Sequence, residues 1–499
     1  MRAPASVLDE AAWQQPYDAL PPGGSSRVAP TPVREPCWIR INAPLAASLG
    51  LDPDALGDSQ TLAALAGNRS PAGTEPQALA YAGHQFGHFV PQLGDGRAIV
   101  LGALPDREGT LHDIQLKGCG RTPYSRGGDG RAPIGPVVRE YLASEAMAAL
   151  GIPTTRSLAA VATGETVTRF QPEPGAVLTR TARSHIRVGT FEYFHRRGDT
   201  AGVRQLLAHF LARNAPDLRR SERPAAALLE RVVDQTAELI ADWMAVGFIH
   251  GVMNTDNLSL AGETIDYGPF GFLDTYAPQT VYSAIDVYGR YAYDRQPAIA
   301  EWNLARLAEA LLPLLHHDMD IALAEAHDAL DRFQARYDAA YQRRLRAKLG
   351  LRQAADDDTA LISRLLTLLQ QESVDWTLFF RRLCVLPGTH PRDDTPVRRL
   401  FDDPGAFDAW AEGWRHRLGQ EMRCDEERQA AMRATNPAYI LRNHLAQWAV
   451  DAATQRFDFH PMERLLTVLQ DPCEDHPGHE DLAQPPGPGQ QVTRTFCGT

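Results

Sequence analysis

Residues 250–268, HGVMNTDNLSLAGETIDYG, gather oxygen-bearing side chains in an order suited to a metal-bound nucleotide. Asn257 and Asp266 flank a short polar stretch, LSLAGETI, that predicts a hairpin holding the two side chains to one side. Mg²⁺, or Mn²⁺ in its place, takes hard oxygen ligands, usually one or two from protein with the rest from phosphates and water. Asn257 and Asp266 meet that demand. Asp256 precedes Asn257 and supplies a carboxylate that could take the proton of an attacking hydroxyl. The plainer alternative makes Asp256 a turn cap and Asp266 the end of a strand.

Fixed positive charge has its own candidates upstream. LGDGR offers Gly94, Gly96 and Arg97, where glycines would let backbone N–H groups approach phosphates and the guanidinium would fork two oxygens. An isolated Gly-Asp-Gly also describes an ordinary hairpin turn. Lys117 falls at the end of the run HDIQLK, and Glu140 lies in the next helical pattern, an order by which kinase-like folds aim an ammonium at nucleotide phosphates. The loop 118–133 crowds Arg121, Arg126, Asp129, Gly130 and Arg131 together, while Arg180 and Arg187 bracket TRTARSHIR and could neutralise a polyphosphate leaving group. Kinases also place an Asp two residues after the motif His. Val252 occupies that position here.

The elements that must carry these residues follow from hydropathy patterning. Residues 94–117 read as two alternating runs joined by PDREGT, a strand–turn–strand with Lys117 at its far end. Residues 134–151 have helical periodicity closing on Gly151, and 158–169 and 176–182 read as two further strands. Helical spacing dominates 200–216 and 224–247, and almost everything beyond about 280. The expected fold class is α+β, a two-lobed protein-kinase-like fold with a strand-rich N-lobe and an enlarged helical C-lobe. Its expected division is an N-terminal extension 1–75, an N-lobe 76–185, a C-lobe core 186–300, a helical region 301–480 and a mobile, Pro/Gly-rich tail 481–499.

Bulk properties narrow the class. The chain has 499 residues, 44% hydrophobic and 22% charged, without an apolar run long enough to span a membrane or an apolar N-terminal leader, so a soluble, cytoplasmic monomer is expected. Formal net charge is −12 and no long basic run is present, which speaks against nucleic acid as a partner. The six cysteines show no CxxC spacing. HQFGH places His84 and His88 at a spacing that binds zinc on a helix, but no adjacent Glu or third ligand completes a site.

The blocks YAGHQFGHFVPQLGDGRA, DIQLKGCGRTPYSRGGDGRAP, REYLASEAMAALGIPTTRSL, GFIHGVMNTDNLSLAGETIDYGPFGFLD and NPAYILRNHLAQWAV resemble the selenoprotein O (YdiU) family of protein adenylyltransferases, from about residue 35 onward. The resemblance implies a protein-kinase-like fold, first classed as a pseudokinase, that binds ATP in a flipped orientation and transfers AMP to Ser, Thr or Tyr hydroxyls of protein substrates. Carried over by motif, Gly94, Gly96, Arg97, Lys117 with Glu140, Asp129, Gly130, Arg180 and Arg187 form the nucleotide site. Asn257 and Asp266 bind Mg²⁺ or Mn²⁺, and Asp256 accepts the proton. Many members end in a Cys or selenocysteine that Cys497 matches, and in some bacterial members it pairs with an activation-loop Cys. The stretch GPFGFLDTYAPQTVYS has none, leaving Cys119 as an alternative partner.

Two other readings use the same residues. One is a kinase transferring the γ-phosphate with Asp256 as a substitute base, and the other is a nucleotide-binding pseudokinase without catalysis.

Overall fold

A computed structural model describes residues 6–388 and 393–496. In the first part of the chain lie β1 (Ser25–Arg27), β2 (Cys37–Ile41), α1 (Ala43–Ser48), α2 (Ser59–Leu65), β3 (Gln77–Leu79), β4 (Gly83–Gln85) and β5 (His88–Val90). They are followed by β6 (Ala98–Pro105), β7 (Leu111–Lys117), β8 (Ala132–Pro133), α3 (Ile134–Ala149), β9 (Arg156–Thr168) and β10 (Pro172–Ala182). The main sheet runs β1-β3-β6-β7-β10-β9-β2 with β8 against β10, and its paired strands are antiparallel. The strand–turn–strand expected over 94–117 forms as β6 and β7, with Ala98 opposite Lys117.

Side chains alternate across the pleat, so each strand serves two layers. Ile99, Leu101, Ile114, Leu116 and Val177 pack under Leu45, Leu49, Leu56 and Leu65 of the N-terminal segment. Val100, Ala160, Ala162 and Leu178 face the larger core, which contains Val138 and Leu142 of α3. Burial on both faces explains the nearly continuous apolar runs of these strands. Strand β7 is the exception: opposite Ile114 and Leu116 it carries Asp113, Gln115 and Lys117, all buried. That polar row faces the helical region. Deleting Leu116 to Ala should cost about 2–5 kcal/mol, as for other fully buried leucines.

Helices α4 (Val188–His195), α5 (Thr200–Asn214) and α6 (Pro224–Val246) follow, then β11 (Phe248–Ile249) and β12 (Gly271–Phe272), before α7 (Gln296–Leu315) and α8 (Met319–Lys348). α6 starts on Pro224, whose missing N–H costs nothing in a first turn, and stops at Gly247 with φ +76°. β11 and β12 pair antiparallel and close the loop 250–270 at its base. More helices complete the C-terminal half, and among the described residues no helix is long and apolar enough to cross a membrane. Near the end of the chain, Thr495 N–H donates to the Tyr282 carbonyl at 2.7 Å and the Thr495 carbonyl accepts from Ala284 N–H at 3.0 Å.

The hairpin expected between Asn257 and Asp266 does not form as a self-paired unit. Its arms bond outward instead: Val188 N–H to Leu258 O at 3.0 Å, Leu260 N–H to Ile186 O at 3.1 Å, and Thr264 N–H to Pro153 O at 2.9 Å. Backbone groups satisfied by neighbouring segments leave only a local turn within the segment, Gly262 N–H donating to the Ser259 carbonyl at 3.3 Å. The segment is thereby tied to the chain on both sides of Arg187 and to the start of β9.

Candidate active site

Lys117 is placed by the last register position of β7, where the pleat turns it toward α3 and the 250–268 loop. Its Nζ lies 2.5 Å from Glu140 Oε2 and 2.5 Å from Asp266 Oδ1. Arg180, on β10, donates from Nη1 to Glu140 Oε1 at 3.1 Å and sits 3.5 Å from Asp266 Oδ1. Its Nε donates to Gln115 Oε1 at 2.6 Å. Glu140 and the two cations are almost fully buried, whereas 31% of the Asp266 side chain remains open. Burial works to raise the Asp266 carboxyl, but Lys117, Arg180 and Arg187 overcome it and hold the group well below the usual carboxylate range. Asp266 is therefore an anion at any physiological pH. Its backbone has φ +66°, a left-handed conformation that Asp tolerates better than most residues.

Asp256 stands in a different environment. It is 7% exposed, and burial pushes its carboxyl up to about 7; Arg187 opposes this, and the Asp266 charge adds to it. Oδ1 of Asp256 is buried with no hydrogen-bond partner. Arg187 Nη1 donates to the backbone carbonyl of Asp256 at 2.8 Å, its Nη2 lies 3.7 Å from Asp95 Oδ1, and its guanidinium covers the Tyr81 ring at 4.4 Å. Asn257 Nδ2 donates to the Val252 carbonyl at 2.9 Å, which turns the amide oxygen the other way. Val252 thus serves through its backbone only. His250, buried and held toward its neutral form, donates from Nε2 to the Ile265 carbonyl at 2.9 Å and pins Ile265 beside Asp266.

The donor set fits a Mg²⁺ that arrives with a nucleotide. It offers one amide oxygen and one carboxylate, both hard. Among the described residues no group of three or more His, Cys, Asp or Glu forms a cage for a metal, so phosphate oxygens and water would have to complete the shell of any bound ion. A cavity of about 570 Å³ opens beside Lys117 and Glu140, lined also by Arg97, Tyr267, Val137 and Phe496, within the size range of ligand pockets.

The LGDG segment sits over the same region. Gly94 has φ +111°, and a Cβ there would come within 2.6 Å of the Tyr124 ring; at Gly96 it would meet the Tyr124 carbonyl at 2.9 Å. Both positions require glycine. Asp129 lies apart from the Lys117 cluster, exposed and paired with Arg169 at 2.8 Å, which lowers its carboxyl pKa. Gly130 has φ +68° and its carbonyl accepts from Gly120 N–H at 3.0 Å. Arg169 lines the cavity, whereas Asp129 and Gly130 do not, Asp129 reaching it only through its pair with Arg169. Arg131 is committed to the carbonyls of Thr31 and Pro32, both at 2.9 Å, while Arg121 and Arg126 are exposed.

His84 and His88 are not on a helix. They fall on β4 and β5, joined by a two-residue turn in which Phe86 has φ +51° and Gly87 φ +85°. His84 Nδ1 sits 2.5 Å from Glu192 Oε1 and its ring is edge-on to Trp302, whereas His88 is exposed, so the pair does not converge. Cys497 lies outside the described residues. Cys119 is fully buried, and burial pushes its thiol up to about 12, which suppresses the thiolate needed for disulfide exchange.

Two residues escaped the sequence reading. Asp95, between the two glycines, is buried and accepts from Leu79 N–H and from Gln115 Nε2, both at 3.1 Å. Gln115 bridges Asp95 to Arg180. The alternation of β7 carried a signal for it, since Gln115 stands two residues before Lys117 on the same face.

An ammonium and a guanidinium locked between two carboxylates, beside a loop that carries a further, protonatable carboxylate, fit a nucleotide-dependent group-transfer enzyme on a kinase-like scaffold. Comparison with known proteins narrows this. The family model described as "Protein adenylyltransferase SelO" matches residues 10–470, and the chain belongs to that family. It is 60% identical over 483 residues to a protein nucleotidyltransferase YdiU of Alkalilimnicola ehrlichii, covering 97% of this chain and 98% of that protein. It is 57% identical over 483 residues to the protein of that name from Rhodopseudomonas palustris, with 97% and 98% covered. For the Methylorubrum extorquens protein so named, the identity is 56% over 488 residues, again with 97% and 98% covered. The activity class of the chain is protein nucleotidyl transfer.

Proposed function

We propose that the protein transfers AMP from ATP to Ser, Thr or Tyr hydroxyls of other proteins and releases pyrophosphate. The observation that carries the reading is the opposed state of two carboxyls in one loop: Asp266 is held ionised by Lys117 and Arg180, and Asp256 is pushed to about 7. The first suits a metal and polyphosphate, the second a proton acceptor.

In this reading the substrate oxygen attacks the α-phosphorus, its proton passes to the Asp256 carboxylate, and the bond from the α-phosphorus to the bridging oxygen breaks. Pyrophosphate carries the electron pair away. Lys117 and Arg97 line the cavity and would neutralise the leaving phosphates, with Glu140 and Arg180 holding Lys117 in place. Backbone groups of Gly94 and Gly96 would approach the phosphates, Asp129 and Gly130 would border the nucleotide, and Arg187 would steady the Asp256 segment. Asn257 and Asp266 would hold Mg²⁺ or Mn²⁺, which when bound supplies charge neutralisation to the phosphates. Val252 cannot accept a proton, so the step has no kinase-type base to use.

Mass spectrometry of the purified protein and of cell lysate, each incubated with ATP and Mg²⁺, tests the reading. An AMP adduct on hydroxyl side chains is expected. Adducts of phosphate alone would replace this reading with the kinase one.

A further inference from the structure

The HQFGH motif, left without a metal, lies directly against the proposed base. Strands β4 and β5 form a two-stranded ribbon separate from the main sheet, with Gly83 opposite Val90 and Gln85 opposite His88. Its β4 side holds three successive residues of the catalytic loop. Phe86 N–H donates to Asn254 Oδ1 at 3.1 Å, and His84 N–H donates to Thr255 Oγ1 at 2.7 Å. The Gln85 side chain lies close enough to the Asp256 carboxylate to act on it as a hydrogen-bond donor. Tyr291 reinforces the first contact, its hydroxyl donating to Asn254 Oδ1 at 2.7 Å.

The fit is tight where it matters. A Cβ on Gly83 would stand 2.9 Å from Asp256 Oδ1 and 3.0 Å from Thr255 Oγ1, closer than side chains tolerate. A Cβ on Gly189, at the start of α4, would meet the Ala82 carbonyl at 2.2 Å and the Asp256 Cα at 3.3 Å. The ribbon is anchored from the outside by the His84–Glu192 pair and by Ala82 N–H donating to the Gly189 carbonyl at 3.0 Å. A carboxylate free to rotate would lose the near-attack geometry that makes a base effective, and small misplacements cost large factors in rate.

We propose that Gln85 is a positioning residue for Asp256 and that the 83–90 ribbon, through its contacts to Asn254 and Thr255 and the close approach of Gly83, holds the carboxylate in place for the incoming hydroxyl. This rests on the assignment of Asp256 as base in the proposed function. The two can fail separately.

The test compares wild type with Gln85→Ala, Gly83→Ala and, as a control on the exposed side of the ribbon, His88→Ala. Transfer is followed with α-labelled ATP, thermal unfolding is recorded, and the rate at which a carbodiimide modifies Asp256 is read by peptide mass spectrometry. In both Gln85→Ala and Gly83→Ala, kcat should fall more than tenfold with KM for ATP within twofold and unfolding temperature preserved, while His88→Ala stays within twofold of wild type. Gln85→Ala should also raise the carbodiimide rate at Asp256. Unchanged kcat in both Gln85→Ala and Gly83→Ala, or an equal loss in His88→Ala, would overturn the proposal. Should wild type transfer no α-label, the adenylyl reading falls, and the carbodiimide rate alone decides the positioning role: a rise in Gln85→Ala supports it and an unchanged rate refutes it.

Discussion

Asp256 and Asp266 lie ten residues apart in one loop, yet their carboxyl groups are driven in opposite directions. Asp266 faces Lys117 and Arg180 at 2.5 and 3.5 Å and stays ionised. Asp256 forms no side-chain ion pair among the described residues, keeps one oxygen unpartnered, and is lifted to about 7 by burial against the opposing charge of Arg187. Desolvation acts on both; the placed cations decide the outcome. In the proposed reading these two carboxylates, with separated affinities for a proton, divide the labour, one holding charge in place and the other exchanging a proton near neutral pH.

The comparison can be broken from either side. The largest effect is expected from Asp266→Ala, which should abolish transfer and also weaken Mg²⁺-dependent ATP binding, measured by calorimetry with and without the metal. It should leave Lys117 with only Glu140 as a partner. Asp256→Ala should lower kcat by about 10²–10⁴, the range for loss of a general base, while ATP binding stays largely intact. Full transfer by Asp256→Ala would remove the base assignment.

A smaller effect concerns pH. The base works when deprotonated, so transfer should climb as pH rises through about 7, and steady-state rates across that range test it. Stability should move the other way. The folded protein keeps the Asp256 proton up to about 7, whereas the unfolded chain releases it near about 4, so this group's contribution is greatest below that and declines as pH rises between the two values. Asp256→Asn cannot ionise. Its unfolding temperature should exceed wild type at pH 8, with the advantage shrinking toward pH 4. The smallest change is expected at the rim: Arg169→Ala releases an exposed pair with Asp129 and should alter unfolding by less than about 1 kcal/mol.

Much of this was legible from residue order. The alternation of 98–117 gave β6 and β7 and put Lys117 at the strand end, and the helical spacing of 224–247 placed the loop directly after α6. The Asn257 and Asp266 spacing pointed to one site because the intervening segment is short. What stayed hidden is long-range. The outward bonding of residues 258–264 depends on partners at 153, 186 and 188, which no local pattern displays. The state of Asp256 depends on burial by segments far away in sequence, and the meaning of HQFGH depends on a ribbon meeting Asn254 and Thr255 more than 160 residues later. The histidine spacing suggested a helix face, but two positive φ values at Phe86 and Gly87 make it a turn.

The central claim is that these parts act on the α-phosphorus of ATP. Incubating the protein and its substrates with ATP labelled at the α position and, separately, at the γ position addresses it most directly. The account predicts protein-bound label from α-labelled ATP alone, lost in Asp256→Ala; label retained only from the γ position would contradict it.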